Sequence, residues 1–335
     1  MARVEGGEVV ELDFEIPGKT PSLLDAIFLG RVIEIQKPLQ AAFVDVGEER
    51  PGLLPLREGK LPPLKEGESV LVQVTRTENP LENKGVRLTR MITLRLGPLL
   101  YTPFKPGLSF SKKVKDRKGF DTLFPLGPEE GLIVRHMAKP EKKLTDLFLQ
   151  LREEWGQIQS RLNTKPPFCV SPPLTLFERI LRQLNPSDSL FVDDRKFLKG
   201  NATYTRERAF DERCEDVWDS LFSPEILLPQ GGNLYIEETR GLTVIDVNSE
   251  GMLRHSLPFN RKAIGEALRQ IQLRDIGGKI VIDLIDTPQD LKPLLQALTV
   301  PSDVEIFGLS HLGLLEFIRR RKRLSLPQRL KFQLN

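Results

Sequence analysis

The chain has little cysteine and little histidine. Cys169 and Cys214 are its two thiols, and neither sits in a CxxC or CxxH spacing. That excludes a disulfide scaffold and a cysteine zinc site, and it fits a reducing compartment. Three histidines, His136, His255 and His311, leave little material for chemistry that needs a histidine pair. No apolar run reaches the roughly 18 residues that a membrane helix needs, so neither a spanning segment nor a membrane partner is predicted. The opening MARVEGGEVV has no apolar h-region, so a cytoplasmic location is expected rather than secretion. A strong excess of one charge is missing as well: 49 Lys and Arg against 46 Asp and Glu give a net +3. An anionic partner must therefore meet local patches and not a uniformly basic surface.

What is present suits a folded chain of several domains. Hydrophobic residues make up 39% and charged residues 28%, enough for a core and too balanced for disorder. At roughly 100–200 residues per domain, the length gives two or three domains.

Residues 1–20 read as a short strand pair, with VVELDFEI alternating ahead of a Pro17-Gly18 turn. From 22 to 96, AIFLGRVIEI, QAAFVDVG, SVLVQVTR and KGVRLTRMI alternate between turn signals such as Lys37-Pro38, Gly47, Glu66-Gly67 and Asn79-Pro80. Short strands at even spacing predict a small barrel. Residues 97–130 are rich in Pro and Gly and contain SKKVKDRKG, after which GLIVRH reads as a strand. Leu144, Leu147, Phe148, Leu151, Trp155, Ile158 and Leu162 then predict an amphipathic helix over about 140–163, stopped by Pro166-Pro167. The last third is the most regular. Strands GLTVIDVN, KIVIDLID and VEIFGLS alternate with helices at 258–273, DTPQDLKPLLQAL and HLGLLEFIRRRKRL. That alternation predicts a largely parallel sheet covered by helices, with ligands beyond the carboxyl ends of its strands.

Two of those strands end in carboxylates. Asp246 and Asn248 stand two apart and share one face of an extended chain, while Asp283 ends KIVID. A lone buried carboxylate is costly, so an apolar strand normally avoids one. Gathered at neighbouring strand ends, Asp246 and Asp283 give two hard oxygen charges and Asn248 a neutral amide. That set suits one Mg²⁺ (or Mn²⁺), with the amide orienting a carboxylate. The competing reading is that these aspartates cap the helices that follow. For Asp286 the cap is preferred, because Thr287-Pro288-Gln289-Asp290 has Pro in the first turn and T-x-x-D spacing.

On the barrel, Phe28 and Phe43 lie near Arg31, Lys37, Lys84 and Arg87. Small barrels stack bases on exposed aromatics and follow the backbone with cations; the alternative is that both rings are core. SKKVKDRKG and Arg319-Arg320-Arg321-Lys322-Arg323 are the strongest basic runs. The second closes a predicted helix, where cations complement the dipole.

Here the residues resemble a family. LPQGGNLYIEETRGLTVIDVNS with LRQIQLRDIGGKIVIDLID is similar to the catalytic region of the ribonuclease E/G family. QAAFVDVGEERPGLLPL resembles its S1-like RNA-binding domain, EEGLIVRHMA the segment that reads the RNA 5′ end, and SHLGLLEFIRRRKRL the end of its catalytic domain. The likeness runs in family order over nearly the whole chain. It implies an α/β (α+β) chain of several subdomains. An RNase H-like subdomain would come from 1–21 and 165–238, with an S1-like OB-fold inserted over 22–96. A 5′-sensor subdomain would occupy 97–164 and a DNase I-like catalytic subdomain 239–335.

The resemblance implies Asp246 and Asp283 as Mg²⁺ ligands, with Asn248 holding a carboxylate or the scissile phosphate. Arg135 is expected to pair with a 5′ phosphate. His136 stands where the family has threonine and would donate to phosphate in its place. Leu53 replaces a family aromatic, which leaves Phe43 as the main stacking residue. The family's zinc-linking CxxC and small domain do not follow, so neither zinc nor a zinc-linked dimer is expected; oligomeric state stays open. The loop from Ser249 to Asn260 is shorter than in the larger enzymes.

The expected activity is metal-assisted endonucleolytic hydrolysis of single-stranded, A/U-rich RNA in RNA processing and decay. Its products carry 5′-phosphate and 3′-hydroxyl ends. Lys112, Lys113 and Arg274 are expected phosphate contacts. Phe43 would stack a base downstream of the cut while the barrel clamps the strand onto the catalytic face. Scarce histidine argues against a route through the 2′-hydroxyl. Two other readings stand beside this one. A non-catalytic RNA-binding protein would keep the barrel without turnover. A metal-dependent phosphatase or nucleotide hydrolase would leave the barrel without a role.

Overall fold

The computed structural model describes every residue except 20, 59–60, 112–113, 136–139, 186–187, 201, 252–255, 286–293, 295–297, 299 and 335. The chain divides into two compact units, Met1–Ile16 with Phe210–Asn335, and Pro17–Ala209. In chain order, the second unit is an insertion in the first.

The first unit opens with a hairpin of β1 (Ala2–Glu5) and β2 (Glu8–Leu12). Its turn is Gly6-Gly7, at φ 57° and 90°, the left-handed conformations that tight hairpin turns require and glycine adopts without strain. A register shift that leaves Val10 unpaired lets Val9 and Leu12, three apart on β2, both enter a core with Cys214, Leu221, Leu273 and Leu326.

The inserted unit begins with β3 (Ile27–Gln36), β4 (Ala41–Asp45), β5 (Gly52–Pro55), β6 (Ser69–Arg76) and β7 (Arg87–Thr89). They run in the order β3-β4-β5-β7-β6, and β6 returns to β3, so five strands close a barrel of the OB kind. Val32, Ala42, Val44, Leu54, Val72, Val74 and Leu88 fill it. Phe28 joins them at 3% exposure. The expectation that Phe28 stacks a base is therefore corrected. Near its start, β3 is buried on both faces, with Phe28 in the barrel and Ile27 and Leu29 in the neighbouring core.

That second core is closed by β8 (Leu94–Leu96), β9 (Leu99–Tyr101), β10 (Gly107–Phe110) and β11 (Gly131–Val134), in the order β10-β11-β9-β8. The predicted amphipathic helix is α1 (Lys142–Ser160), which buries Leu144, Phe148, Leu151, Trp155 and Ile158 against the sheet. β12 (Phe168–Ser171) then pairs with β3. Next comes α2 (Leu176–Gln183), opened by a Thr175–Glu178 capping box. Short parallel strands β13 (Leu190–Val192) and β14 (Ala202–Tyr204) follow.

Back in the first unit, α3 (Glu212–Ser220) leads to β15 (Glu225–Leu227), β16 (Asn233–Glu238) and β17 (Thr243–Asn248). Then come α4 (Ser256–Leu273), β18 (Gly278–Asp283), β19 (Val304–Leu309), β20 (Leu315–Arg319) and α5 (Leu326–Leu334). The six strands form one sheet in the order β15-β16-β17-β18-β20-β19. Only β17 and β18 pair in parallel; the other ladders are antiparallel. The expected largely parallel sheet is corrected accordingly. Short connections join β15 to β16 to β17 and β19 to β20, and short connections make antiparallel neighbours.

The helix predicted at HLGLLEFIRRRKRL is also corrected. Leu315 and Phe317 are buried and Glu316 is exposed, the period-two alternation of a strand. Of the helix predicted at DTPQDLKPLLQAL, only Leu294 and Leu298 are described, both packed on the core of the sheet; Asp286 to Asp290 lie outside the described residues, as does His255. On one face of the sheet, α4 packs Ala263, Ile264, Ala267, Leu268 and Ile271 against Ile245, Val247, Ile280, Ile282 and Phe317. The other face presents Tyr235, Asp246, Asn248, Asp283 and Glu316. No helix among the described residues is long and apolar enough to cross a membrane.

Candidate divalent-cation site

The parallel ladder sets Asp246 level with Asp283. Ile245, Val247 and Ile282 point into the core, so strand alternation turns Asp246, Asn248 and Asp283 to the opposite, exposed face. Adjacent strands lie about 4.8 Å apart, so two carboxylates share one small patch. The Asn248 Nδ2 donates to Asp246 Oδ2 at 2.8 Å and orients that carboxylate. Two like charges at this spacing favour a cation that both can bind. The donor chemistry is hard oxygen, which suits a Mg²⁺-class ion that keeps several waters. Among the described residues, no group of three or more His, Cys, Asp or Glu comes together as a metal site; this pair with its amide is a smaller set.

Two further residues shape the strand ends. Gly232 has φ 77°, and a Cβ there would lie 2.2 Å from the Asn248 carbonyl oxygen and 3.0 Å from Phe259 Cζ. Glycine thus lets the β16 entrance close on the end of β17. Asn260, 1% exposed on α4, donates Nδ2 to the Ile285 carbonyl at 2.6 Å and accepts the Ile285 N–H at 3.3 Å. It fixes the backbone two residues beyond Asp283. Sequence reasoning passed over both. The usable signals were a glycine pair ahead of a strand and an asparagine on the apolar face of a helix.

The remaining expected contacts divide. Arg274 is corrected: at 5% exposure it donates Nε to Gln270 at 2.9 Å and Nη2 to the carbonyls of Ser220 and Ser223 at 3.3 and 2.8 Å. Burial lowers its pKa to about 10, against the raising effect of Glu238 and Glu266. It clamps the end of α4 to the 220–223 turn and does not face solvent. The terminal basic run is also largely engaged. Arg319 pairs with Asp275 and Asp303 at 3.1 and 2.8 Å, and Arg323 with Asp275 and Asp13 at 2.6 and 2.8 Å. Arg321 donates to the Gly277 carbonyl at 2.8 Å.

In the inserted unit, Phe43 is half-buried on the outside of the barrel, level with Leu53, and Leu53 is level with exposed Arg87. The three form one row across β4, β5 and β7. Lys84 is exposed but pairs with Glu82, so its charge is already answered within its loop. Arg135 follows β11, with its backbone N–H on the Pro98 carbonyl at 2.8 Å. Phe110 lies level with Val134, and the Ser111 N–H bonds the Val134 carbonyl at 2.9 Å. The basic run that starts at Ser111 and Arg135 therefore leave the same end of two adjacent strands. Lys112, Lys113 and His136 themselves lie outside the described residues. A cleft of about 380 Å³ in this unit is lined by Gln150, Glu153, Arg161 and Arg182 among others. The carboxylate pair instead occupies an exposed strand face, which suits a passing polymer better than an enclosed small molecule.

The model of the ribonuclease E/G family matches residues 96–322. Ribonuclease E of Escherichia coli (strain K12) is 32% identical over 380 aligned residues, covering 96% of this chain and 35% of that protein. Ribonuclease E of Haemophilus influenzae is 30% identical, covering 96% of this chain and 40% of that protein. A putative ribonuclease E of Buchnera aphidicola subsp. Baizongia pistaciae is 28% identical, covering 96% and 92%. The chain thus spans about a third to two-fifths of the length of its Escherichia and Haemophilus relatives.

Proposed function

The chain belongs to the ribonuclease E/G family, and on that footing we propose that it is an endoribonuclease hydrolysing single-stranded RNA. The reading rests above all on Asp246 and Asp283, level on adjacent strands, with Asn248 bonded to Asp246. These two carboxylates would hold Mg²⁺, or Mn²⁺ in its place. The bound ion supplies charge stabilisation at phosphate and a lowered pKa for water.

The chain's own residues do the rest. Asp246 and Asp283 gather the cation, and their bare charge disfavours phosphate without it. Asn248 holds one Asp246 oxygen in place. The row of Phe43, Leu53 and Arg87 takes an unpaired strand through stacking and one phosphate contact. Unpaired A/U-rich RNA suits such a row, because its bases are free to splay onto a ring. Arg135 pairs with a phosphate, with Lys112, Lys113 and His136 as further phosphate contacts. Hydrolysis by water would leave 5′-phosphate and 3′-hydroxyl ends. The four-part scheme is the architecture that goes with this reading: RNase H-like, S1-like, 5′-sensor and DNase I-like. Against the phosphatase alternative stands the barrel with its outward aromatic-basic row, which mononucleotide hydrolysis does not need.

The test is an end-labelled A/U-rich oligonucleotide with Mg²⁺. Cleavage is expected to stop with EDTA and in Asp246→Asn or Asp283→Asn, while anisotropy still shows binding. Wild-type cutting by both variants would overturn the assignment. Binding without any cutting by the wild type would favour the non-catalytic alternative.

A further inference from the structure

Resting on the nuclease reading above, we propose that Tyr235 is a base-stacking residue of the same site, one that holds a nucleotide flanking the scissile phosphate and sets a purine preference there. β16 buries Leu234 and Ile236 and turns Tyr235 outward, 40% exposed. Tyr235 lies directly opposite Asp246, and Asp246 lies level with Asp283. One row across three strands therefore reads tyrosine, aspartate, aspartate on a single exposed face. Directly opposed residues of antiparallel strands have Cβ atoms about 5 Å apart, so the ring borders the carboxylate pair.

The charge of this face makes a neutral contact the useful one. On the next row, Glu237 lies level with Val244, Val244 with Val281, and Val281 with Glu316. Both glutamates are exposed. Four carboxylates stand against one exposed lysine, Lys279, two residues before Val281 on β18. They leave this surface net negative and hold off a polyanion, so a substrate that approaches here gains from contacts that carry no charge. Stacking meets that need, because every base has a π-face, and the larger purine covers more of a phenol ring. Tyrosine is also a good strand former on a solvent face. That role alone would change stability and leave base preference untouched, which separates the two explanations.

The experiment places A, G, C or U in turn at each position flanking the cut and measures kcat and KM. Tyr235→Val is expected to raise KM about tenfold or more with a smaller change in kcat, and to erase the purine preference at one flanking position. Tyr235→Phe is expected to retain that preference, since stacking needs the ring and not the hydroxyl. A second measurement needs no turnover. An oligonucleotide with 2-aminopurine at that position, bound to the Asp246→Asn variant in EDTA, should lose emission by stacking, and adding Tyr235→Val should restore it. A Tyr235→Val enzyme with the wild-type KM, base profile and 2-aminopurine emission would overturn the proposal. Tyr235-dependent quenching alongside a wild type that cuts no RNA would support the stacking and remove the nuclease reading.

Discussion

Glu130, in the inserted unit, is a heavily bonded carboxylate. Arg152 forks onto it through Nε and Nη2 at 2.7 and 2.5 Å, Tyr101 donates at 2.9 Å and the Gly127 N–H at 2.7 Å. Burial alone would raise its pKa; the bonds from Arg152, Gly127 and Tyr101 outweigh burial and hold it below the usual carboxylate value. A depressed folded-state pKa contributes stability above the unfolded value, and that stability is lost as pH falls through the folded one. Glu130→Gln is thus expected to cost about 2 kcal/mol near neutrality, with the gap closing in acid. Denaturation followed by Trp155 fluorescence in a Trp218→Phe background checks this; a pH-independent gap would contradict it. At this scale the sequence offered Asp246, Asn248 and Asp283 as candidates, because two apolar strands end in carboxylates, with helix capping as the competing reading. It did not separate Phe28 from Phe43. Both rings lie on barrel strands, and they differ because Phe28 faces the barrel interior while Phe43 stands on its outside. Nor did it show Arg274 as buried, since the carbonyls that hold it belong to Ser220 and Ser223, far away in the chain.

Among the elements, the β16–β17 pair shows how local chemistry places the site. Gly232→Ala would force a Cβ against the Asn248 carbonyl at a left-handed φ, a strain of about 1–3 kcal/mol. Displacing that end of β17 disturbs the Asn248–Asp246 bond. Reduced cleavage and earlier unfolding by Trp218 fluorescence are both expected. Gly241, with nothing within 4 Å of its Cβ position, supplies the control: Gly241→Ala should behave as wild type, and equal behaviour of the two variants would refute the contact. Barrel strands and α1 were legible because their apolar spacing has one reading. The segment around Leu315 was not. A short apolar run beside five cations fits a helix end as well as a strand, and only pairing with β18 and β19 decides it.

For the whole molecule, composition and most of the element order were readable, and the two-unit division was not readable from local pattern. Met1–Ile16 joins Phe210–Asn335 through long-range contacts that no local pattern encodes. Asp13, 3% exposed, accepts from Arg323 at 2.8 Å and Arg329 at 2.9 Å. Phe14 meets Trp218 edge-on at 5.8 Å between ring centroids. These contacts close the first unit around the sheet that carries Asp246 and Asp283. The account depends on those two carboxylates acting as one site for one ion. Electron paramagnetic resonance of Mn²⁺ titrated into the intact chain counts bound ions directly. The account predicts one ion in this site in the wild type, competed by Mg²⁺ and lost in Asp246→Asn and in Asp283→Asn alike. Unchanged Mn²⁺ binding in both variants would contradict it.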